Sequence, residues 1–164
     1  MCCPELVVHG EPMKTSESEK YLGSLITTDM NLKQTIETRA NSAIGVNSQI
    51  MSILNAVSLG SHFFTIAKVL RESMLINTIL VSSEAWYHTS EQEIRKLEEA
   101  DESLLRNILN SHSKTALEAL YLELKCLPIR YHIMYRRLNF YHYILSLNNS
   151  ELLARFFKGQ QENP

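Results

Sequence analysis

Residues 90–109 read Ser90-Glu91-Gln92-Glu93-Ile94-Arg95-Lys96-Leu97-Glu98-Glu99-Ala100-Asp101-Glu102-Ser103-Leu104-Leu105-Arg106-Asn107-Ile108-Leu109. Ile94, Leu97, Leu104, Leu105, Ile108 and Leu109 recur at helical spacing and make one apolar stripe. Ser90-Glu91-Gln92-Glu93 is a capping box, in which the hydroxyl accepts from the backbone N–H three residues on and Glu93 reaches back. The pattern stops near Asn110-Ser111, so one amphipathic helix with a marked start occupies the middle of the chain.

The same period extends on both sides. Upstream, Leu32, Ile36, Ala40, Ala43, Ile44, Ile50, Met51 and Leu54 predict an amphipathic helix of about seven turns, weakened at Gly45 by about 1 kcal/mol relative to Ala. A second helix is predicted from about residue 62 to 80, and its apolar residues, from Phe63 to Leu80, cover more than one face, the pattern of a buried central helix. Downstream come a short helix over residues 115–124 and a longer one from Pro128, carried by Ile129, Ile133, Met134, Leu138, Tyr141, Ile144 and Leu145 to the break at Asn148-Asn149. A last turn or two holds Leu152, Leu153, Phe156 and Phe157, and a frayed tail is expected from 159 to 164. Trp86, in Ser83-Glu84-Ala85-Trp86, is expected to wedge the joint between two helices.

Only the first 28 residues differ in texture. Glu5-Leu6-Val7-Val8-His9 and Tyr21-Leu22-Gly23-Ser24-Leu25-Ile26-Thr27 read as two strands joined by a polar loop. Two strands are not a stable unit alone, so they either pack on the helices or belong to a larger sheet. The expected fold is therefore mainly α, a bundle of about five to six helices with a short two-stranded β element at the N-terminus. Four regions are expected: 1–28, 29–110, 111–158 and the tail 159–164.

Composition excludes several function classes. With 164 residues, 45% apolar, 16 Lys+Arg against 18 Asp+Glu and a formal net charge of −2, the chain has enough apolar material for one core and too balanced a charge for a disordered tail. Asp29 and Asp101 are the only aspartates, too few and too far apart for a two-metal catalytic centre. Cys2, Cys3 and Cys126 match no zinc module and read as reduced thiols, which with the absence of a basic-then-apolar leader predicts an intracellular protein, cytoplasmic or nuclear. Lys68, Arg71 and Glu72 interrupt the longest apolar-rich stretch, which argues against a membrane span. His9, His62, His88, His112, His132 and His142 have no metal-binding spacing, and neither a nucleophile elbow nor a phosphate loop occurs. No catalytic residue and no metal ligand is expected.

Charge is unevenly spread. Glu84, Glu91, Glu93, Glu98, Glu99, Asp101 and Glu102 face only Arg95 and Lys96 in one segment. Residues 124–150 hold Lys125, Arg130, Arg136 and Arg137 with no acid, among Tyr131, Tyr135, Phe140, Tyr141 and Tyr143. Cations that meet phosphates and aromatic faces that stack on bases suit nucleic-acid binding. The competing reading puts the aromatics in the core and the arginines on a solvated face. Arg136 and Arg137, adjacent on a helix, are expected not to point inward together, leaving at least one for a partner.

Glu19-Lys20-Tyr21-Leu22-Gly23-Ser24-Leu25-Ile26-Thr27, then Asp29, then a helix with Ile36, Arg39 and Ala43, resembles the end of the palm and start of the thumb in reverse transcriptases of non-LTR (LINE-type) retrotransposons. Lys20-Tyr21-Leu22-Gly23 is the most specific part. Further phrases follow in the family's order: Ser83-Glu84-Ala85-Trp86, Ile94-Arg95-Lys96-Leu97-Glu98, Leu105-Arg106-Asn107-Ile108-Leu109, and Leu127-Pro128-Ile129 before Arg136-Arg137-Leu138-Asn139-Phe140. The likeness runs from about residue 5 to 157. Ser83 departs from it, standing where a Gly is common.

The resemblance implies a non-catalytic C-terminal fragment of an RNA-directed DNA polymerase. The palm carboxylates that hold Mg in that family precede the matched phrase, and no Asp-Asp pair occurs here, so no cofactor is implied. Lys20, Tyr21, Leu22 and Gly23 would correspond to a primer grip, and Lys33, Arg39, Lys68, Arg71, Arg130, Arg136 and Arg137 would contact a primer–template backbone. Partners implied are an RNA–DNA duplex or other nucleic acid, a missing palm region, or a second copy. Two other readings stay open: a helical protein-interaction module, and an inert relic of a decayed element.

Overall fold

The computed structural model describes residues 7–8, 11–12, 18–21, 24–27, 32–56, 60–86 and 89–147. The expected last turns at 152–157 and the tail lie outside them. Near the N-terminus, β1 (Val7–Val8) pairs antiparallel with β2 (Glu11–Pro12), and β3 (Ser18–Tyr21) with β4 (Ser24–Thr27). The expected pair of strands, 5–9 and 21–27, is thus corrected. Each run pairs with its own immediate neighbour, because a pairing closed over a few residues costs least loop entropy.

The fold is mainly α, as expected. Its helices are α1 (Lys33–Ala56), α2 (Phe63–Leu70), a wide-turn π segment (Arg71–Ile76) leading into α3 (Asn77–Ile79), then α4 (Glu91–Leu109), α5 (Leu117–Leu124) and α6 (Ile129–Ser146). Since α2, the π segment and α3 are one continuous rod, the described residues form five helices, apart from short 3-10 turns.

The ends follow the local sequence. At Ser90 the capping box is complete: Glu93 N–H donates to Ser90 Oγ at 3.3 Å and Ser90 N–H donates to Glu93 Oε2 at 2.8 Å. Asn110 and Lys125 close α4 and α5 in the left-handed conformation, at φ 46° and 49°. The N–H of Ser111 then reaches Arg106 O and that of Cys126 reaches Tyr121 O, satisfying carbonyls that a helix end leaves open. Pro128 sits immediately before α6, where its missing N–H costs nothing.

The core is continuous from α1 to α6, with Ile36, Ile50, Leu75, Leu104, Leu105 and Ile129 among its fully enclosed side chains. Helix α4 is its centre, lying along α1 and receiving α5 and α6. This corrects the expectation for residues 62–80: Phe64 and Val69 are exposed, and burial concentrates at Arg71, Leu75, Ile76, Ile79 and Leu80. The rod is apolar all round because its ends use different faces, not because it is surrounded. Trp86, 4% exposed, wedges the joint as expected.

Gly45 stands on the exposed side of α1, and a Cβ added there meets nothing within 4 Å. Gly45→Ala should therefore raise unfolding free energy by about 0.5–1 kcal/mol, read as a higher urea midpoint at unchanged slope.

Candidate nucleic-acid interface

The basic residues expected on a nucleic-acid surface divide into two groups. Lys20 and Tyr21 belong to β3, and Leu22 and Gly23, between the paired ends Tyr21 and Ser24, lie outside the described residues. Lys33 opens α1 and is exposed; Arg39, further along the same helix, is half-buried, and burial lowers its pKa.

The others are engaged by partners within the protein. Arg71 is 1% exposed: its Nε donates to Asp101 Oδ1 at 2.7 Å and its Nη2 to Asp101 Oδ2 at 2.6 Å, with Leu127 O at 2.9 Å. Glu72 and the Tyr121 hydroxyl, donating to Asp101 Oδ2 at 3.0 Å, complete the cluster. Burial alone would weaken the guanidinium's hold on its proton, but the bonded Asp101 carboxylate more than offsets this and leaves the Arg71 pKa raised. Burial and the same carboxylate push the Tyr121 phenol up. The expectation that Arg71 contacts a duplex is corrected: a forked guanidinium meets a carboxylate bidentately inside the protein.

A common task emerges for the rest. Lys68 Nζ donates to Lys125 O at 2.6 Å, so with Arg71 it ties the α5–α6 link to the α2 rod. Arg106 donates to His112 O and Thr115 O, holding the α4–α5 link. Arg130 clamps α6 to α4 through Glu98, at 2.7 and 2.9 Å, which raises its pKa. Arg136 donates to Leu80 O at 2.6 Å and to Asn77 Oδ1 at 2.9 Å, while Arg137 donates to Trp86 O at 2.7 Å and to the Thr89 hydroxyl.

Adjacent residues therefore do both turn inward, against expectation. They are about 100° apart on the helix. The stretch from Leu80 to Trp86 runs along α6, with Arg136 meeting Leu80 at one end and Arg137 meeting Trp86 at the other. Carbonyls at helix ends and in links accept hydrogen bonds whatever residue carries them, so residue types give no sign of such partners. The acids do leave a signal. Glu98 and Asp101 fall within the apolar stripe of α4, where a buried carboxylate requires a cation.

A groove of about 760 Å³ lies between α1 and α4. Its walls carry neutral hydrogen-bonding groups, Asn41, Asn47, Ser48, Ser103 and Asn107, beside Ala40, Ile44 and Met51. Asn47 is buried; its Nδ2 donates to Ala100 O at 2.7 Å, and its Oδ1 has no protein partner. The acids at the lip are compensated, Glu37 by Lys96 Nζ at 2.8 Å and Glu99 by Arg95 at 3.7 Å. The Lys96 contact holds the Glu37 carboxyl below its usual range. Sequence reasoning misses Asn41 and Asn47, because amides that line a groove between two helices carry no motif.

No helix among the described residues is long and apolar enough to cross a membrane. No family model, curated protein or solved structure matches the chain.

Proposed function

We propose that the chain is a non-catalytic C-terminal part of a non-LTR retrotransposon reverse transcriptase, comprising the end of the palm, the thumb and the helices after it. Its residual role is to hold a primer–template backbone. The observation that carries this reading is the α1–α4 groove, an amide- and hydroxyl-lined trough on the helix that follows the β3–β4 pair bearing Lys20 and Tyr21. Donors and acceptors without net charge suit the shallow minor groove of an A-like RNA–DNA duplex, with its 2′-hydroxyls and base edges. Lys33, at the start of the same helix, supplies phosphate attraction. The resemblance in the palm-to-thumb phrase supplies the family, and the paired strands preceding a helical bundle support it.

Binding then falls to α1 and α4, and Arg71, Arg136 and Arg137 take no part in it. Lys33→Glu and Asn41→Glu are exposed changes and should each weaken binding of a labelled RNA–DNA primer–template about tenfold in fluorescence anisotropy. Lys33→Glu should also make the log–log salt dependence shallower by about 0.7–0.9. Unchanged binding in both variants, or no binding by the wild type at low salt, would sink the proposal.

A further inference from the structure

Helix α6 is apolar on two opposite faces. Ile129, Ile133 and Ile144 enter the core, while Tyr131, Met134, Tyr135, Leu138, Tyr141 and Leu145 lie on the other side and are each 44–66% exposed. Tyr131, Met134, Leu138, Tyr141 and Leu145 follow one another at intervals of three, four, three and four. That is the a/d seam of a coiled coil over two heptads, and it is the spacing that receives another helix. The core formed by the described residues does not use it.

We propose that this seam is a homodimer interface in which α6 of one copy packs antiparallel on α6 of a second, with Leu138 at the two-fold axis. Three observations favour a second copy as the occupant. The seam is nearly symmetric about Leu138, so a two-fold operation sets Tyr131 against Leu145, Tyr135 against Tyr141 and Leu138 against itself, as an isologous contact requires. Charge does not oppose it, since Arg136 and Arg137 are turned inward to carbonyls and Arg130 is neutralised by Glu98. The area is sufficient: about half of roughly 200 Å² from each of six large side chains is on the order of 600–700 Å² per copy, near the about 800 Å² of a standard interface.

Antiparallel pairing is favoured because it opposes the two helix dipoles, which parallel helices would align.

Sedimentation velocity on the full chain at about pH 8, across about 1–100 µM, reads the proposal directly. The mass should rise with concentration from 18.8 kDa towards twice that value and be insensitive to salt. Leu138→Glu sets like charges together at the axis and should weaken the dimer by more than about tenfold with unchanged helical circular dichroism, Leu138 being exposed. Val69→Glu, on the exposed side of α2, should leave the dimer intact.

Geometry is tested by oxidative cross-linking in a chain with Cys2, Cys3 and Cys126 changed to Ser. Leu138→Cys should cross-link to itself. Tyr131→Cys should cross-link only when mixed with Leu145→Cys, because two copies of position 131 lie about 21 Å apart. A wild-type monomer throughout, a dimer untouched by Leu138→Glu, or self-cross-linking of Tyr131→Cys would each overturn the proposal. None of these outcomes depends on nucleic-acid binding, which uses α1 and α4.

Discussion

Asp101→Ala is expected to lower the unfolding free energy by about 3–5 kcal/mol, the largest loss from any single polar change among the described residues. The carboxylate is fully buried and holds Arg71 by two bonds and the Tyr121 hydroxyl by a third. Its removal leaves a guanidinium inside the protein with only Leu127 O and Glu72 to answer it, and a phenol without its acceptor. The penalty is the desolvation of the abandoned charge more than the worth of the pair.

A control separates these contributions. Arg71→Met with Asp101→Leu and Tyr121→Phe removes the buried members together and should recover most of the loss, since the one partner left behind, Glu72, is partly exposed to water. Urea unfolding followed by circular dichroism reads both variants. If the triple variant were as unstable as Asp101→Ala, the cluster would be contributing through shape and not through charge.

The second large effect is the joint replacement Arg136→Ala and Arg137→Ala, expected to cost about 2–4 kcal/mol. Charge-assisted bonds to carbonyls are each worth about 1.5–3 kcal/mol, discounted here because both side chains are partly exposed. Under the proposed duplex-binding role, the salt dependence of binding by the folded fraction should not change, because both guanidinium groups are already engaged within the protein. Lysine at the same two positions should restore charge without restoring stability: an ammonium lacks the fork that lets Arg136 reach Leu80 O and Asn77 together. Circular dichroism melting and the anisotropy salt series distinguish a structural staple from a phosphate contact.

Both effects depend on partners distant in sequence, and that is where sequence reasoning stops. Ser90 with Glu93, Pro128 before its helix, the stop at Asn110 and the wedge at Trp86 are local, and each is legible from neighbours a few residues away. Element order in the helical part follows from apolar spacing for the same reason. The tasks of the basic residues are not legible, because a side chain's partner is a tertiary fact. Arg71 and Asp101 lie 30 residues apart, and Arg136 reaches a carbonyl 56 residues upstream. The strand pairing fails at the same level: alternation identifies strand-like runs but not which neighbour each takes.

Helix α6 shows a different limit. Periodicity pools its two faces into one, placing Met134, Leu138, Tyr141 and Leu145 with the core residues Ile129, Ile133 and Ile144. A helix that is apolar on opposite sides gives little amphipathic contrast, and only the position of the neighbours reveals which side is spare.

The π segment at Arg71–Ile76 makes the rod a counting device. One surplus residue in a wide turn advances the phase of everything after it. That advance lets Ala67 and Arg71 at one end, and Leu75, Ile76, Ile79 and Leu80 at the other, all aim at the same core. A deletion of the exposed Ser73 would remove the surplus and rewind the rod to an ordinary helix, rotating its last turns by about 100° relative to its first.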